Sequence, residues 1–144
     1  MQMTRNILVV GGAGYIGSHT TLALKEAGYG TVVYDNFSSG HRDACFGDHL
    51  VEGDLADTDR LAGVLAQFDI ACVIHFAALI EAGQSVMDPL PFFQNNVGGT
   101  LSLLEAMRRA GAMRLVFSST AAVYGNQAQM PLLAEDLPRS PINP

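Results

Sequence analysis

A cluster of glycines directly after an apolar segment constrains this chain more than any other feature. The run from Ile7 to Val10 is apolar, glycines follow at positions 11, 12, 14 and 17, and an amphipathic stretch then begins. This order predicts a strand, a tight turn and a helix, because glycine lets the backbone turn sharply and lets a phosphate approach it. The first amides of such a helix lack partners and carry partial positive charge, so a pyrophosphate is their natural ligand.

The glycines fit two versions of a dinucleotide-binding fingerprint. Gly12, Gly14 and Gly17 fit Gly-x-Gly-x-x-Gly, and Gly11, Gly14 and Gly17 fit Gly-x-x-Gly-x-x-Gly. A glycine motif alone is weak evidence for a ligand, but a position between a strand-like run and a helix-like run makes it much stronger. The sequence therefore predicts a dinucleotide site at the start of the first helix.

Composition excludes several classes of protein. The 144 residues are 49% hydrophobic and 15% charged, which suits one folded domain. The formal net charge is −6 and the eight Lys and Arg are scattered, so we expect no nucleic-acid partner. No apolar run approaches the roughly 20 residues of a membrane span. The two cysteines show neither CxxC nor metal-ligand spacing, and we expect no metal and a reducing, cytoplasmic location.

Strand-like and helix-like segments alternate along the chain. Apolar runs predict strands at residues 7–10, 31–34, 50–52, 70–76 and 115–117, and helices follow the first, third and fourth of these. The alternation predicts an α/β fold with a doubly wound, Rossmann-like parallel sheet, right-handed crossovers and strand order 3-2-1-4-5. Ligands then bind at the switch between strands one and four. We assign residues 1–126 to this domain and residues 127–144 to an extended, proline-rich tail.

The pattern also predicts which faces are apolar. The fourth strand is apolar throughout except for one His, which is typical of a strand buried on both faces. The helix over about 92–110 has its apolar spacing at Phe93, Val97, Leu101, Leu104 and Met107. The first helix has a corresponding face at Ile16, Thr20, Ala23, Leu24 and Ala27.

Asp35 closes the second strand, 18 residues after Gly17. A carboxylate at this place accepts hydrogen bonds from both hydroxyls of an adenosine ribose. It repels a 2′-phosphate, which favours NAD over NADP. The alternative is a strand-end Asp that caps a turn.

Other polar residues at the strand ends admit two interpretations each. Asp54, before Leu55, is placed either to accept the adenine amino group or to favour a helix N-terminus. Asn95 is placed either to bind a ribose or to cap the helix. The hydroxyls of Ser118–Thr120 either bind a sugar hydroxyl or an activated Tyr, or form a turn. For His75 we favour a buried core histidine over a catalyst.

Several segments together resemble the extended short-chain dehydrogenase/reductase family and, within it, the UDP-glucose 4-epimerases. The resemblance covers essentially the whole chain and lies in residues 11–19, 35–36, 53–55, 75–78, 95–97, 99–100 and 117–125. It implies tightly held NAD. It also implies interconversion of UDP-hexoses by transient oxidation at C4, rotation of the 4-keto sugar and return of the hydride to the opposite face.

The resemblance implies a role for each matched position. The pyrophosphate contacts are assigned to Gly11, Gly14, Tyr15, Ile16 and Gly17. The ribose contacts are assigned to Asp35 and Asn36, with Ser39 or Gly40 nearby, and the adenine contacts to Asp54 and Leu55. The rest of the dinucleotide is lined by Phe76, Ala77, Ala78 and Asn95, with Ser118 near the nicotinamide. Thr120 takes the place of the family's catalytic Ser or Thr. Ile80 stands where some relatives have a Lys, so we expect one polar cofactor contact to be absent.

The family's catalytic Tyr-x-x-x-Lys pair is not found in this sequence. Tyr124 is followed four positions later by Ala128, and residues 140–144 resemble the segment just before that Tyr. In the family the Tyr acts as base and the Lys lowers its pKa. We therefore expect an NAD-binding N-terminal part, incomplete at its C-terminus, that alone binds NAD weakly or not at all and does not turn over. A UDP-sugar substrate is expected only for the full-length parent.

The same incompleteness predicts self-association. The next helix is expected to cover one face of the sheet beside the helix at 92–110, and the next strand is expected to extend the edge at the fifth strand. Without them we expect a homodimer or another self-associated form, through the helix at 92–110 or the open edge.

Two other functions remain open from the sequence. One is the cofactor half of a different nucleotide-sugar enzyme, such as a 4,6-dehydratase or decarboxylase. Those relatives usually carry Asp-Glu or a similar pair after the Ser or Thr, whereas Thr120 is followed by two alanines. The other is a non-enzymatic NAD-binding module, which the missing Tyr-x-x-x-Lys favours.

Overall fold

Five parallel strands form the centre of the molecule, whose computed structural model describes residues 6–126 and 135–144. The strands are β1 (Asn6–Val10), β2 (Gly30–Asp35), β3 (His49–Glu52), β4 (Ile70–His75) and β5 (Leu115–Phe117). Their order is β3-β2-β1-β4-β5 and every pairing is parallel. The predicted doubly wound, Rossmann-like sheet is confirmed. Residues 127–134 of the predicted tail lie outside the described part of the chain.

Helices connect the strands as the alternation predicts. They are α1 (Tyr15–Glu26), α2 (Thr58–Gln67), α3 (Ala82–Met87), α4 (Leu90–Phe92) and α5 (Gly99–Ala110), with short 3₁₀ turns at Arg42–Ala44 and Ala121–Tyr124. A π-helical segment, Phe93–Gly98, joins α4 to α5, so residues 90–110 form one continuous helical run. The sequence predicts a regular helix here, and periodicity gave no sign of the wider turn.

The main core lies between the sheet and the pair α2 and α5. Leu8, Val10, Val32 and Val73 of the sheet pack there with Leu61, Leu65, Leu103 and Ala106 of the helices. Asp57 begins α2 by accepting a hydrogen bond from the Arg60 amide at 3.0 Å. Gly28 and Gly111, with φ of +83° and +71°, follow α1 and α5, where glycine can adopt the left-handed conformation that ends a helix.

The face predicted for α1 is wrong. The helix buries Gly17, Ser18 and Thr21, whereas Ile16 is 59% exposed. Small residues are needed on the buried face because α1 packs closely: a Cβ on Gly17 would overlap the carbonyl oxygen of Gly11. Close packing requires small side chains on this face of α1. Hydrophobic periodicity does not reveal that requirement.

The sheet is covered unevenly on its two faces. On the α2 and α5 side, Val73 and His75 of β4 are buried. On the α1 side, Cys72 and Ile74 are only half-buried, and Val116 beside Ile74 is 54% exposed. The prediction that β4 is buried on both faces is therefore wrong in the described residues, because α1 reaches only the β1 and β2 side of that face.

Most of the apolar residues that predicted the long helix 90–110 face outward. Of the five positions that gave its spacing, only Met107 is buried. We call the other four the outer stripe, and they are Phe93, Val97, Leu101 and Leu104. The core is instead reached by Phe92, Leu103 and Ala106.

Candidate functional site

A cavity of about 760 Å³ opens beyond the C-terminal ends of the strands, next to the paired strands β1 and β4. The sheet order places a topological switch point there, and a volume of several hundred Å³ suits an organic ligand. The sequence-predicted site residues that line it are Gly11, Gly14, Tyr15, Ile16, Gly17, Asp35, Asn36, Ser39, Gly40, Leu55, Phe76, Ala77, Ala78, Asn95, Ser118 and Thr120. Asp54 is the predicted residue that does not reach this lining.

The glycine turn presents the N-terminus of α1 to the cavity. Gly11 has φ of +80°, and a Cβ at this position would lie 2.6 Å from the Ala77 nitrogen, so only glycine fits. Gly14 is the N-cap and offers no side chain, and the first helical hydrogen bond runs from the Ser18 amide to the Gly14 carbonyl at 2.9 Å. The first amides of α1 are therefore left for a ligand.

Asp35 ties the glycine turn to the loop after β2. Its Oδ2 accepts a hydrogen bond from the Ala13 amide at 2.9 Å, and its Oδ1 accepts one from the Phe37 amide at 2.8 Å. The residue is 9% exposed and lines the cavity. Each carboxylate oxygen keeps a further lone pair that can accept a ligand hydroxyl.

Asp54 is held beside the cavity by its own hydrogen bonds. Its Oδ1 accepts from the Ala56 amide at 2.9 Å and its Oδ2 accepts from Asn36 Nδ2 at 2.8 Å. The Ala56 bond and then the Asn36 bond lower the pKa of Asp54 below its usual value. The helix that follows is capped by Asp57, so Asp54 is not its N-terminal Asp.

Tyr34 is a residue of this region that sequence reasoning missed. It is 1% exposed, lines the cavity, and donates its hydroxyl to the Asp54 carbonyl at 2.8 Å. Burial, with a smaller contribution from Asp57, raises the pKa of Tyr34 to about 12. Its hydrogen bond joins the ends of β2 and β3, where an adenosine would lie.

His75 ends β4 inside the core. It is 2% exposed, its Nε2 lies 3.1 Å from Thr100 Oγ1, and its ring meets Phe117 edge-on. Thr100 gives its own proton to the Asn96 carbonyl at 2.6 Å, so Nε2 must be the donor towards Thr100. Among the described residues, Nδ1 has no partner. Burial lowers the pKa of His75, which keeps it neutral.

Hydroxyl groups border the β5 side of the cavity. Ser118 donates its amide to the His75 carbonyl at 3.1 Å, which fixes the end of β5 against β4. Thr120 Oγ1 accepts from the Ala122 amide at 3.1 Å and caps the 3₁₀ turn. Its hydroxyl proton stays available because that bond uses only a lone pair.

Residues 135–144 return to the cavity. Ser140 donates its amide to the Val123 carbonyl at 3.0 Å, and Asn143 Nδ2 lies 3.4 Å from Ser85 Oγ on α3. Asn143 and Pro144 are part of the lining. This segment therefore crosses between the β5 and α3 sides of the opening.

The model of the NAD-dependent epimerase/dehydratase family matches residues 7–144. The chain belongs to that family. Its fold, its glycine turn and its Asp35 therefore all lie within the matched region.

Relatives of this family member include UDP-glucose 4-epimerases from several bacteria. That of Rhizobium leguminosarum bv. trifolii is 54% identical over 138 residues, and that of Rhizobium meliloti (strain 1021) is 52% identical over 139 residues. Each alignment covers 96% of this chain and 42% of the relative. A crystal structure of the Brucella ovis UDP-glucose 4-epimerase in complex with NAD matches with a TM-score of 0.90 and 47% identity, over 96% of this chain and 42% of that one. The chain thus spans less than half the length of these relatives.

The positive potential of the cavity in this epimerase/dehydratase family member comes from the backbone. Among the described residues that line it, none is Lys or Arg, and Asp35 is the carboxylate. Positive potential at the site therefore rests on the amides of α1.

No group of three or more His, Cys, Asp or Glu in the described ranges is placed to hold a metal ion. In the same ranges, no helix is long and apolar enough to cross a membrane.

Proposed function

We propose that this chain is the NAD-binding part of a UDP-glucose 4-epimerase. One observation carries the proposal: uncapped amides at the start of α1 and the Asp35 carboxylate face the same cavity. Amides at a helix N-terminus bind a pyrophosphate, and a carboxylate at the end of β2 binds an adenosine ribose. NAD carries both groups, joined directly through the 5′-oxygen of the adenosine ribose. The close approach of Gly11 to Ala77 leaves no room for a larger turn residue.

In this proposal, five sets of described residues each contact a different part of the cofactor. Gly11 to Gly17 hold the pyrophosphate, and Asp35 with Asn36 holds the adenosine ribose. Asp54 and Leu55 border the adenine, with Tyr34 fixing the backbone of Asp54. Ala77, Ala78 and Asn95 form the wall along the remainder, and Ser118 borders the nicotinamide. When bound, NAD supplies an acceptor and donor of hydride for the C4 position of a UDP-hexose.

Thr120 is the proposed catalytic hydroxyl of the chain. It borders the cavity and keeps its proton free while its lone pair caps the 3₁₀ turn. From there it can donate a hydrogen bond to a sugar oxygen. The Tyr-x-x-x-Lys pair is not in this sequence, so we expect the 144 residues alone to bind cofactor weakly and without turnover.

Isothermal titration with NAD and NADP tests the cofactor assignment. We expect saturable binding of NAD and at least about tenfold weaker binding of NADP, because Asp35 repels a 2′-phosphate. Equal affinity for the two would contradict the role of Asp35. Conversion of UDP-galactose to UDP-glucose by the purified chain would contradict the expected lack of turnover.

Self-association through the outer stripe is a second part of the proposal. Phe93, Val97, Leu101 and Leu104 are 43–61% exposed and lie in line along one side of the helix 90–110. An apolar row of this length on an exposed helix is typical of a surface that packs against another helix. A second copy of the same chain offers a matching row, and a two-fold arrangement pairs each row with itself.

The compartment proposed for the protein is the cytoplasm. Its two cysteines, Cys45 and Cys72, are both free and half-buried. Unpaired thiols fit a reducing environment.

A further inference from the structure

Asn96, in the π-helical segment, holds the loop that follows β4 by two hydrogen bonds. Its Oδ1 accepts a hydrogen bond from the Leu79 amide at 2.8 Å, and its Nδ2 donates to the Leu79 carbonyl at 2.9 Å. One side chain thus satisfies both backbone polar groups of a loop residue 17 positions away. A carboxamide suits this task because it offers an acceptor and a donor side by side.

The loop held by Asn96 is a wall of the cavity. Ala77, Ala78 and Leu79 all line it, and the Ala77 nitrogen lies against the glycine turn at Gly11. At the start of the loop, directly after β4, the Phe76 amide donates to the Val10 carbonyl at 2.8 Å, and the two hydrogen bonds of Asn96 hold it at Leu79. Releasing Leu79 therefore moves the surface against which a flat ligand lies.

Asn96 also orients the carboxamide of Asn95. The Leu79 amide can only donate, so the Asn96 atom facing it is the oxygen, and the group of Asn95 that lies 2.9 Å from this oxygen must be its NH₂. Among the described residues none donates to Asn95 Oδ1. Asn95 is half-buried and lines the cavity, so it offers an acceptor to a ligand hydroxyl or amide.

We propose that Asn96 is a positioning residue for the nicotinamide half of the dinucleotide. It acts through Leu79, which is part of the cavity wall, and through Asn95, whose Oδ1 it orients towards the ligand. This inference rests on the proposed function and adds a residue that the glycine turn and Asp35 do not involve. The adenosine half of the site lies at β2 and β3, away from these contacts.

Two ligands and two variants test the inference. We would titrate NAD and ADP into the unsubstituted chain, Asn96→Ala and the control Gln94→Ala, an exposed side chain of the same π-helical segment. ADP carries the adenosine and pyrophosphate and lacks the nicotinamide half. We expect Asn96→Ala to weaken NAD about tenfold or more and ADP by less than about twofold, with both affinities unchanged in Gln94→Ala.

Amide exchange at Leu79, followed by NMR without ligand, gives an independent measurement. We expect it to be at least about tenfold faster in Asn96→Ala, because its hydrogen-bond acceptor is gone. If Asn96→Ala does not fold, the isosteric Asn96→Asp replaces it. A carboxylate facing the Leu79 carbonyl cannot donate, so the same selective loss of NAD affinity is expected.

The outcomes separate this inference from the proposed function. Equal loss of NAD and ADP affinity in Asn96→Ala would overturn the positioning role, since a general structural defect affects both halves of the site. Unchanged NAD affinity in that variant would also overturn it and leave the proposed function standing. Failure of the unsubstituted chain to bind NAD would overturn the proposed function and this inference together.

Discussion

Asp35 joins the glycine turn to the loop after β2 before any ligand arrives. Its two oxygens accept hydrogen bonds from the Ala13 and Phe37 amides, and Ala13 in turn accepts one from the His41 amide at 3.1 Å. Ribose hydroxyls would add to an arrangement that is already fixed. The same carboxylate therefore contributes to the folding of the site and, in the proposed function, to binding.

Replacing Asp35 with Asn tests both contributions. The amide nitrogen of Asn cannot accept, so one of the two backbone amides loses its partner and the ribose loses an anionic acceptor. We expect NAD binding to weaken by about 1–3 kcal/mol, with a lower thermal midpoint. Asp43→Asn, at an exposed carboxylate in the 3₁₀ turn after β2, is the control. Titration that finds the NAD affinity of Asp35→Asn unchanged would rule out the ribose contact.

The burial of His75 predicts a pH dependence of stability. Burial lowers its pKa below the ordinary value of 6.5, so the unfolded chain takes up a proton at a higher pH than the folded one. The free energy of unfolding is therefore expected to fall as the pH drops from 6.5 towards the lowered value. In His75→Gln, which does not titrate, this loss should disappear from urea unfolding curves at pH 7.5 and 5.5. The same slope in both proteins would contradict the prediction.

A second, more acidic window comes from the aspartates. Hydrogen bonds lower the pKa of Asp54 below 3.8, chiefly through the Ala56 amide, and that of Asp48, chiefly through the Thr31 amide. Their contribution is present above 3.8 and is lost as the pH falls further. The two windows are distinct, so the His75 comparison is not affected by these carboxylates.

Individual residues differed in how well the sequence revealed them. Asp35 could be predicted because its distance from the glycine turn along the chain is set by one helix and one strand. Tyr34 and Asn96 could not, because their partners, Asp54 and Leu79, lie 20 and 17 residues away and are met only after folding. Their side chains act on backbone groups, which leave no mark in the sequence.

At the scale of the elements, two helical glycines provide a matched test of packing. In Gly17→Ala, the new methyl group in α1 would overlap the Gly11 carbonyl oxygen, and we expect a loss of about 1–3 kcal/mol in the free energy of unfolding. Gly63 is exposed within α2, and a Cβ there meets no atom within 4 Å. We expect Gly63→Ala to stabilise the chain by about 0.5–1 kcal/mol.

Urea unfolding of the two alanine variants measures both effects. Their opposite signs separate the cost of close packing at the turn from the general helix preference for alanine over glycine. If Gly17→Ala were as stable as Gly63→Ala, α1 would not pack against the turn as described.

Helix existence was easier to predict than helix orientation. The helix predicted over 92–110 is present in the structure, yet Val97 and Leu101, two of the apolar residues that predicted it, point outward. Periodicity shows that a helix has an apolar face and does not show what the face contacts. The π-helical segment was missed for a related reason: it is accompanied by contacts of Asn96 and Thr100 with β4 and its loop, which are remote in sequence.

For the whole molecule, the sheet order followed from general rules. Strand–helix alternation requires parallel pairing, and right-handed crossovers leave few orders open. Coverage of the sheet did not follow, since half-buried Ile74 and exposed Val116 look in sequence like any other core residues. What covers an apolar face depends on tertiary partners, which local patterns do not encode.

The outer stripe predicts the behaviour of the molecule in solution. We expect concentration-dependent self-association in sedimentation velocity, and we expect Leu101→Glu to weaken it because a charge is placed in the middle of the row. Leu22→Glu, at an exposed position of α1, is the control and should leave association unchanged. A strictly monomeric profile of the unsubstituted chain at high concentration would contradict the proposal.

The described residues around the cavity include no Lys or Arg, and this predicts how binding depends on ionic strength. A diphosphate held by fixed amides releases few counterions, and the chain carries a net charge of −6 that repels an anion at long range. Added salt screens this repulsion more than it weakens the contacts themselves. Affinity for the dinucleotide should therefore stay constant or rise between low and physiological salt, the opposite of what a lysine-lined phosphate site would show.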